Sequence, residues 1–201
     1  MLHGGFHLGY VDNNQMAKAI NLFQDIKTPN KIVTTILFNA CAQLGTDQAL
    51  NLAKQISKDI PQHFHSNSHL SNSLFDALIK CGDCSSAETH FQTMTRSVEN
   101  YGNLMSGFNL EEKPLKTVKL FNQMKADGVH ANMVIYLCVL KALSKVGAYS
   151  LSQSIIQQIP DIVLVNSKIQ NALIHLWVSS NTLSLTILRC EHVRLGKDWI
   201  C

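Results

Sequence analysis

The sequence predicts an all-α protein built as a solenoid of stacked helical hairpins. Three observations predict it: a long internal repeat, apolar residues at helical spacing, and glycines where the helices should end. The composition fits a folded chain, because 46% of the 201 residues are hydrophobic and only 15% are charged. This is enough apolar material for a core and argues against disorder.

The internal repeat links the two halves of the chain. GYVDNNQMAKAINLFQDI, from Gly9 to Ile26, returns as GFNLEEKPLKTVKLFNQM, from Gly107 to Met124, with the glycine-aromatic and Leu-Phe pairs equally spaced. NSHLSNSLFDAL at Asn67 returns in the same way as NSKIQNALIHLW at Asn166. Each copy lies about 100 residues after the first. A block of three smaller repeats is therefore used about twice.

The second half of each smaller repeat carries a mainly apolar set at i, i+3, i+4 and i+7. The sets are Ala19, Leu22, Phe23 and Ile26; Ala87, His90, Phe91 and Met94; Thr117, Leu120, Phe121 and Met124; Ser152, Ile155, Ile156 and Ile159. This spacing shares one face of a helix but not of a strand. The first half has the same spacing, as from Ile36 to Leu44, and ends at Gly45, Gly82 or Gly147, which suits a left-handed helix cap.

The repeats meet at short polar breaks, most of which end in Asn. We place them at 1–30, 31–67, 68–97, 98–132, 133–166 and 167–185, about five and a half repeats in residues 1–185. A hairpin of this size cannot cover its own apolar faces, so neighbouring hairpins must stack. Residues 186–201 are expected to form an irregular tail without the Leu-Phe landmark, and the ambiguous register of residues 1–10 predicts a truncated start.

Charge and hydropathy exclude some classes of protein. No apolar run approaches the about 18 residues that span a bilayer, and the first residues resemble neither a secretory signal nor a transit peptide. The 17 Lys and Arg residues give a net charge of +3 and form no run, which permits a polyanionic partner without requiring one. The six cysteines lie in predicted helices, where we expect reduced thiols.

A Cys-x-x-Cys at Cys81 to Cys84 has the spacing of half a zinc site or a redox couple. A zinc site needs two more ligands, and His90 falls on the apolar face of the next helix. The favoured interpretation is structural: Cys81 ends a helix, Gly82 caps it and Asp83 turns the chain into the next one.

Other candidate sites are equally incomplete. His-Phe-His at 63–65 and Cys-Glu-His at 190–192 lack further ligands at suitable spacing. The chain has no glycine-rich phosphate loop, nucleophile elbow or recurring pair of carboxylates. We therefore expect no catalysis, cofactor or metal.

Three strings resemble the pentatricopeptide repeat family, and in particular its plant-like form, in which long, short and standard repeats alternate. They are PNKIVTTILFNACAQLG from Pro29 to Gly45, SNSHLSNSLFDALIKCGD from Ser66 to Asp83, and MSGF with KLFNQMKADGVHAN between Met105 and Asn132. The resemblance covers roughly residues 1–185. It implies a right-handed α-solenoid, monomeric, that binds single-stranded RNA at about one base per repeat. It also implies a role in organellar RNA processing, editing or stability, with a mitochondrial location and a cytoplasmic one as the alternative.

The resemblance assigns base reading to the fifth and last residues of each repeat. The pairs are Thr35 with Asn67, Asn72 with Ser97, Gly102 with Asn132, and Leu137 with Asn166, while Asn171 has no assignable partner. The first pair implies adenine and the second cytosine. Gly102 and Leu137 have no polar side chain to read a base.

The family also uses the second residue of each repeat to sandwich bases. Ile32 and Val134 fit this role, whereas His69, Glu99 and Lys168 depart from it. A carboxylate at Glu99 repels a phosphate chain unless it is paired.

The alternative hypothesis is a protein-interaction scaffold like the tetratricopeptide repeats, which share the two-helix unit. The modest charge, the non-reading Gly102 and Leu137, and the acidic Glu99 favour it. A neutral or negative binding face would distinguish it from an RNA binder.

Overall fold

The computed structural model describes residues 30–61, 64 and 67–180 of the chain. These residues form α-helices joined by short loops, with no strand among them. The predicted all-α stack of helical hairpins is confirmed. The chain divides into two compact units, Met1–Thr95 and Arg96–Cys201, which we call the N-terminal and C-terminal units.

The N-terminal unit contains two helical hairpins among its described residues. The helices are α1 (Lys31–Leu44), α2 (Asp47–Asp59), α3 (Ser68–Lys80) and α4 (Cys84–Phe91). α1 packs along α3, and each of these two helices also packs on its own hairpin partner. Phe38, Phe75 and Phe91 are fully buried, and the rings of Phe75 and Phe91 stack with centroids 5.9 Å apart. The apolar faces predicted from the sequence form this core.

The C-terminal unit is arranged around its third described helix. The helices are α5 (Val98–Leu110), α6 (Pro114–Ala126), α7 (Met133–Val146), α8 (Tyr149–Ile156), α9 (Asp161–Leu164) and α10 (Ser167–Ser180). α7 packs against α5, α6, α8 and α10. The predicted face of α6, from Thr117 to Met124, is buried against these neighbours.

The first helix of each hairpin begins at a side-chain cap. The side-chain oxygens of Asn30, Asn67, Ser97 and Asn132 accept hydrogen bonds from backbone N–H groups three residues later, at 2.9, 3.0, 3.2 and 3.1 Å. Such caps satisfy N–H groups that a helix start leaves without a partner. α1 and α7 end at Gly45 and Gly147, whose φ angles of 58° and 67° are left-handed, as predicted.

Two second helices are shorter than their apolar pattern suggests. α4 ends at Phe91, and the N–H groups of Gln92, Thr93 and Met94 bond to carbonyls three residues back. This tighter hydrogen-bond pattern ends the α-helix before Met94. α8 ends at Ile156 in the same way, although Ile159 remains buried.

The segment that ends the repeat 133–166 contains the one-turn helix α9. α9 packs against α10, and its Leu164 is buried. The expectations for residues 1–29, for the histidines at 63 and 65 and for residues 181–201 lie outside the described residues.

The Cys-x-x-Cys forms a helix end and a turn, as the structural interpretation predicts. Cys81 is the C-cap of α3, Gly82 follows with φ of 80°, and Asp83 caps α4 by accepting from the Ser86 N–H at 2.9 Å. Cys81 and Cys84 are buried, and the Cys81 thiol donates to the Cys41 carbonyl at 3.4 Å. Burial raises the pKa of Cys41 to about 12 and also raises the pKa of Cys81. Both thiols are therefore poor nucleophiles.

Residues 30–61, 64 and 67–180 contain no group of three or more His, Cys, Asp or Glu side chains that could hold a metal ion. None of the described helices combines the length and apolarity that crossing a bilayer demands.

Candidate nucleic-acid interface

The second residue of the helix that begins each repeat is exposed. Ile32 on α1 is 71% exposed and Val134 on α7 is 54% exposed. His69, Glu99 and Lys168 occupy the same position on α3, α5 and α10 and are also exposed. The fifth residue follows three positions later, so the two residues share one side of the helix. We call this side the reading face of each helix.

The fifth residues differ in their surroundings. Asn72 and Asn171 are exposed, Thr35 and Leu137 are partly exposed, and Gly102 is buried. The side chains of Asn72 and Asn171 form no hydrogen bond with other described residues. A free carboxamide offers both donors and an acceptor, which is the chemistry that base edges require.

Thr35 is partly committed to its own helix. Its hydroxyl donates to the Lys31 carbonyl at 2.9 Å. The oxygen still has lone pairs that can accept a hydrogen bond from a base. Thr35 can therefore contact an amino group on a base without breaking its helical bond.

Gly102 is a packing position. A Cβ atom on this residue would lie 3.4 Å from Cδ1 of Ile135 on α7. The missing side chain lets α5 and α7 approach each other, and this contact buries the backbone of Gly102. Among the predicted reading residues with described burial, it is the least accessible to a ligand.

The last residues of the repeats also cap helices, a role that the sequence analysis did not predict. Asn67, Ser97 and Asn132 cap the helices that follow them, and the Asn166 Oδ1 accepts from the Lys168 N–H at 2.9 Å. Capping occupies the carboxamide oxygen and leaves the NH₂ group of each Asn to donate. The signal was visible, since Asn or Ser precedes each helical run in the sequence.

Asn103 is a second residue that the sequence analysis missed. It is exposed on α5, next to the buried Gly102, and forms no hydrogen bond with the rest of the described chain. It follows Glu99 by four residues, so both lie on one side of α5. The spacing alone could have identified it as a polar substitute for Gly102.

A buried hydrogen-bond network holds the reading face of the C-terminal unit in place. The Asn109 side chain on α5 donates to the Cys138 carbonyl on α7 at 2.8 Å. The Thr117 hydroxyl on α6 lies 3.0 Å from Asn109 Oδ1 and 3.2 Å from the Met105 carbonyl, and donates to them. Satisfied buried networks fix relative position, so these three helices form one rigid support.

The charges on the reading faces are mixed. Glu99 on α5 is exposed and forms no ion pair within the described chain, as is also true of Lys141 on α7 and Lys168 on α10. Lys80 on α3 pairs with Asp76 at 2.8 Å, and Lys145 on α7 lies 3.4 Å from Glu112. α7 and α10 are therefore better placed than α5 to attract a polyanion.

Comparisons with known proteins agree on one family. A family profile described as PPR repeat matches residues 70–97 and 99–129. The chain is similar to the Arabidopsis thaliana "Pentatricopeptide repeat-containing protein At4g30700", with 32% identity over 145 residues, which is 69% of this chain and 18% of the relative. Its identity to the "Putative pentatricopeptide repeat-containing protein At3g23330" of the same plant is also 32% over 145 residues, 69% of this chain and 20% of the relative.

A third relative carries a compartment in its name. The "Pentatricopeptide repeat-containing protein At1g08070, chloroplastic" of Arabidopsis thaliana is 27% identical over 155 residues, 73% of this chain and 20% of the relative. The chain spans about a fifth of the length of these relatives.

Proposed function

Because this chain belongs to the pentatricopeptide repeat family, we propose that it binds single-stranded RNA along its reading faces and acts by binding rather than by catalysis. One observation carries the proposal: Asn72 presents an exposed, uncommitted carboxamide at the fifth position of α3. A polar group left free on a helix surface can read a base at little structural cost.

Each predicted position has a chemical role in this proposal. Ile32 and Val134 supply exposed apolar surface against which bases can stack. The capping residues Asn67 and Asn132 donate from their NH₂ groups, because their oxygens are engaged in the helix caps. Thr35 with Asn67 favours adenine, and Asn72 with Ser97 favours cytosine.

The proposal assigns uneven roles to the repeats. The boundaries at 31–67, 68–97, 98–132 and 133–166 set the register of the bases along the helices. In the repeat of α5 we assign polar contact to Asn103, since Gly102 is buried against Ile135. Leu137, paired with Asn166, contributes an apolar contact without discrimination between bases, and Asn171 extends the reading face onto α10.

The deciding experiment is RNA binding by the purified chain and two variants. Fluorescence anisotropy with a short A- and C-rich RNA should show an affinity that weakens as salt rises. Asn72→Ala should weaken binding by about tenfold, which corresponds to one lost hydrogen bond. The matched control is Asn51→Ala. Asn51 is exposed on α2, the second helix of its hairpin, and this variant should bind RNA like the wild type.

Three results would contradict the proposal. The first is an equal loss of RNA affinity in Asn72→Ala and Asn51→Ala. The second is an RNA affinity that does not change with salt, and the third is an affinity for U-rich RNA equal to that for the A- and C-rich RNA. Thermal unfolding of both variants establishes that a lost affinity is not lost structure.

The cellular role proposed for this chain is organellar RNA processing, editing or stability, in the mitochondrion. Similar proteins are named mitochondrial, as for At3g02330, and chloroplastic, as for At1g08070. Fractionation of plant cells that express this protein distinguishes the two organelles from the cytoplasm. We also propose a monomer, which gel filtration at several concentrations tests.

A second candidate is a protein-interaction scaffold. Apolar side chains are exposed at the end of the described C-terminal unit, at Ile162, Val165, Ile174 and Val178. Exposed apolar surface of this kind can receive another protein. A scaffold would show no RNA affinity in the same anisotropy experiment.

A further inference from the structure

A cavity of about 230 Å³ lies in the C-terminal unit, and none of its lining residues is a predicted reading residue. It is formed by the end of α6, the loop that follows it and the first turn of α7, with Gln158 at its side. Its apolar wall includes Phe121 and Val129. The cavity is concave and partly apolar, and it is smaller than the about 300 Å³ at which drug-sized sites begin, so only a compact ligand would fit.

Tyr136 lines this cavity with a hydroxyl that lacks a partner. The residue is only 7% exposed, and its ring meets that of Phe121 edge-on with centroids 6.1 Å apart. Its hydroxyl forms no hydrogen bond with any other residue in the described ranges. Burial raises the pKa of Tyr136, so the hydroxyl keeps its proton and can donate. The hydroxyl faces the open cavity, so it can donate to an acceptor that binds there.

Lys125 supplies a positive charge on the same cavity. Its ammonium group donates to the side-chain oxygen of Gln158 and lies 5.0 Å from the centroid of the Phe121 ring. Gln158 is held in turn, because its amide donates to the Ser154 carbonyl at 2.8 Å. An ammonium group has three donors, so Lys125 is held in position with donors to spare.

The polar groups around the cavity favour an anion over a cation. The Gln158 oxygen is already engaged by Lys125. Asp127, the carboxylate of the adjoining loop, accepts from the Tyr101 hydroxyl and lies 3.4 Å from the Arg96 side chain. What remains available is the Tyr136 hydroxyl, the Lys125 ammonium and the exposed ring of His130. Hydrogen-bond donors that line a cavity with an apolar wall suit an anionic group attached to a small organic body.

We propose that this cavity binds a small organic anion. A carboxylate or phosphate group would accept hydrogen bonds from Tyr136 and Lys125. The organic part would pack against Phe121 and Val129. None of the residues that line this cavity is assigned to a reading face, so its ligand binding can be tested separately from RNA binding.

The test uses the purified chain with benzoate and phenyl phosphate as probes and neutral benzamide as the comparison. NMR titration should show shifts at Val129 and His130 with either anion and none with benzamide. Tyr136→Phe keeps the ring and removes only the hydroxyl, and it should weaken anion binding by about tenfold. Lys125→Gln should weaken it by a similar factor.

Matched controls lie on neighbouring surfaces. Tyr149→Phe and Lys119→Gln change exposed residues of α8 and α6 that do not line the cavity, and both should bind like the wild type. Binding of either anion that depends on Tyr136 and Lys125 supports the proposal, and the preferred probe tells carboxylate from phosphate. Failure of both anions to bind overturns it, as does binding that is equal in all four variants.

Discussion

The N-terminal and C-terminal units use the same repeat position in different ways. In α3 of the N-terminal unit, Asn72 stands free on the surface. In α5 of the C-terminal unit, the corresponding Gly102 is buried where Ile135 approaches. A repeat position therefore fixes which side of a helix a residue occupies, while the neighbouring helix decides whether that side is open.

The two units also stabilise their helices by different means. Both units pack aromatic rings, and the N-terminal unit also buries thiols, of which Cys81 donates a hydrogen bond to the Cys41 carbonyl. The C-terminal unit adds the buried network of Asn109 and Thr117. Buried polar groups must remain paired, so the C-terminal unit should be the more sensitive to polar-to-apolar substitution.

The largest expected effect is that of Asn109→Leu. It removes two hydrogen bonds and leaves the Thr117 hydroxyl with one acceptor fewer. We expect a loss of about 2 to 3 kcal/mol in the free energy of unfolding. Urea denaturation measures it, with Asn103→Leu on the exposed side of α5 as control. An equal loss of unfolding free energy in Asn109→Leu and Asn103→Leu would show that the hydrogen bonds of Asn109 and Thr117 contribute nothing specific to stability.

The next largest effect is the loss of stability in Gly102→Asn, which compares the buried Gly102 with the exposed Asn72. Gly102→Asn forces a side chain against Ile135 and should cost about 1 to 3 kcal/mol of stability. Gly102→Ala should be neutral or stabilising by up to about 1 kcal/mol, because alanine favours the helix and the tip of Ile135 can yield.

The matched change in the N-terminal unit is Asn72→Ala, which should alter stability by no more than about 0.5 kcal/mol. Thermal and urea unfolding of all three variants provide the comparison. If Gly102→Asn were as harmless as Asn72→Ala, the packing role of Gly102 would be wrong.

The smallest effect concerns how the second helices begin. Asp83 caps α4 by accepting a hydrogen bond from the Ser86 N–H, and it also forms an ion pair with Lys54. Lys113 precedes α6 without forming a side-chain cap, and Pro114 is the first residue of that helix. Asp83→Ala should cost about 1 kcal/mol. Lys113→Ala should cost less, because it removes no cap, and chemical denaturation of the two variants measures the difference.

The Asp83 contribution should depend on pH. Partial burial raises the pKa of Asp83, but the hydrogen bonds from Lys54 and Ser86 outweigh it and hold the pKa at about 2, below its ordinary 3.8. A lowered pKa in the folded state means that the stabilisation is complete above the ordinary value. It should then be lost as the pH falls from 3.8 towards 2. A stability difference between wild type and Asp83→Asn that stays constant over this interval would contradict the assignment.

Local chemistry made much of this protein predictable from sequence. The period of apolar residues located the paired helices, and the resemblance of three strings identified the family to which the chain belongs. Gly45 and Gly147 marked helix ends, because glycine adopts positive φ without strain. The Cys81 to Cys84 turn was predictable for the same reason, since a helix end and the cap that follows it depend on adjacent residues.

Only the tertiary structure decided what depends on a neighbouring helix. The burial of Gly102 requires Ile135 on α7, and the partner of Asn109 is a carbonyl on that same helix. The Tyr136 hydroxyl lines a cavity only because α6 and the loop that follows it lie beside α7. Periodicity along one chain segment says which side of a helix faces inward. It does not say which atoms of another segment lie across the gap, and those atoms decide whether a residue packs, pairs or remains free to bind.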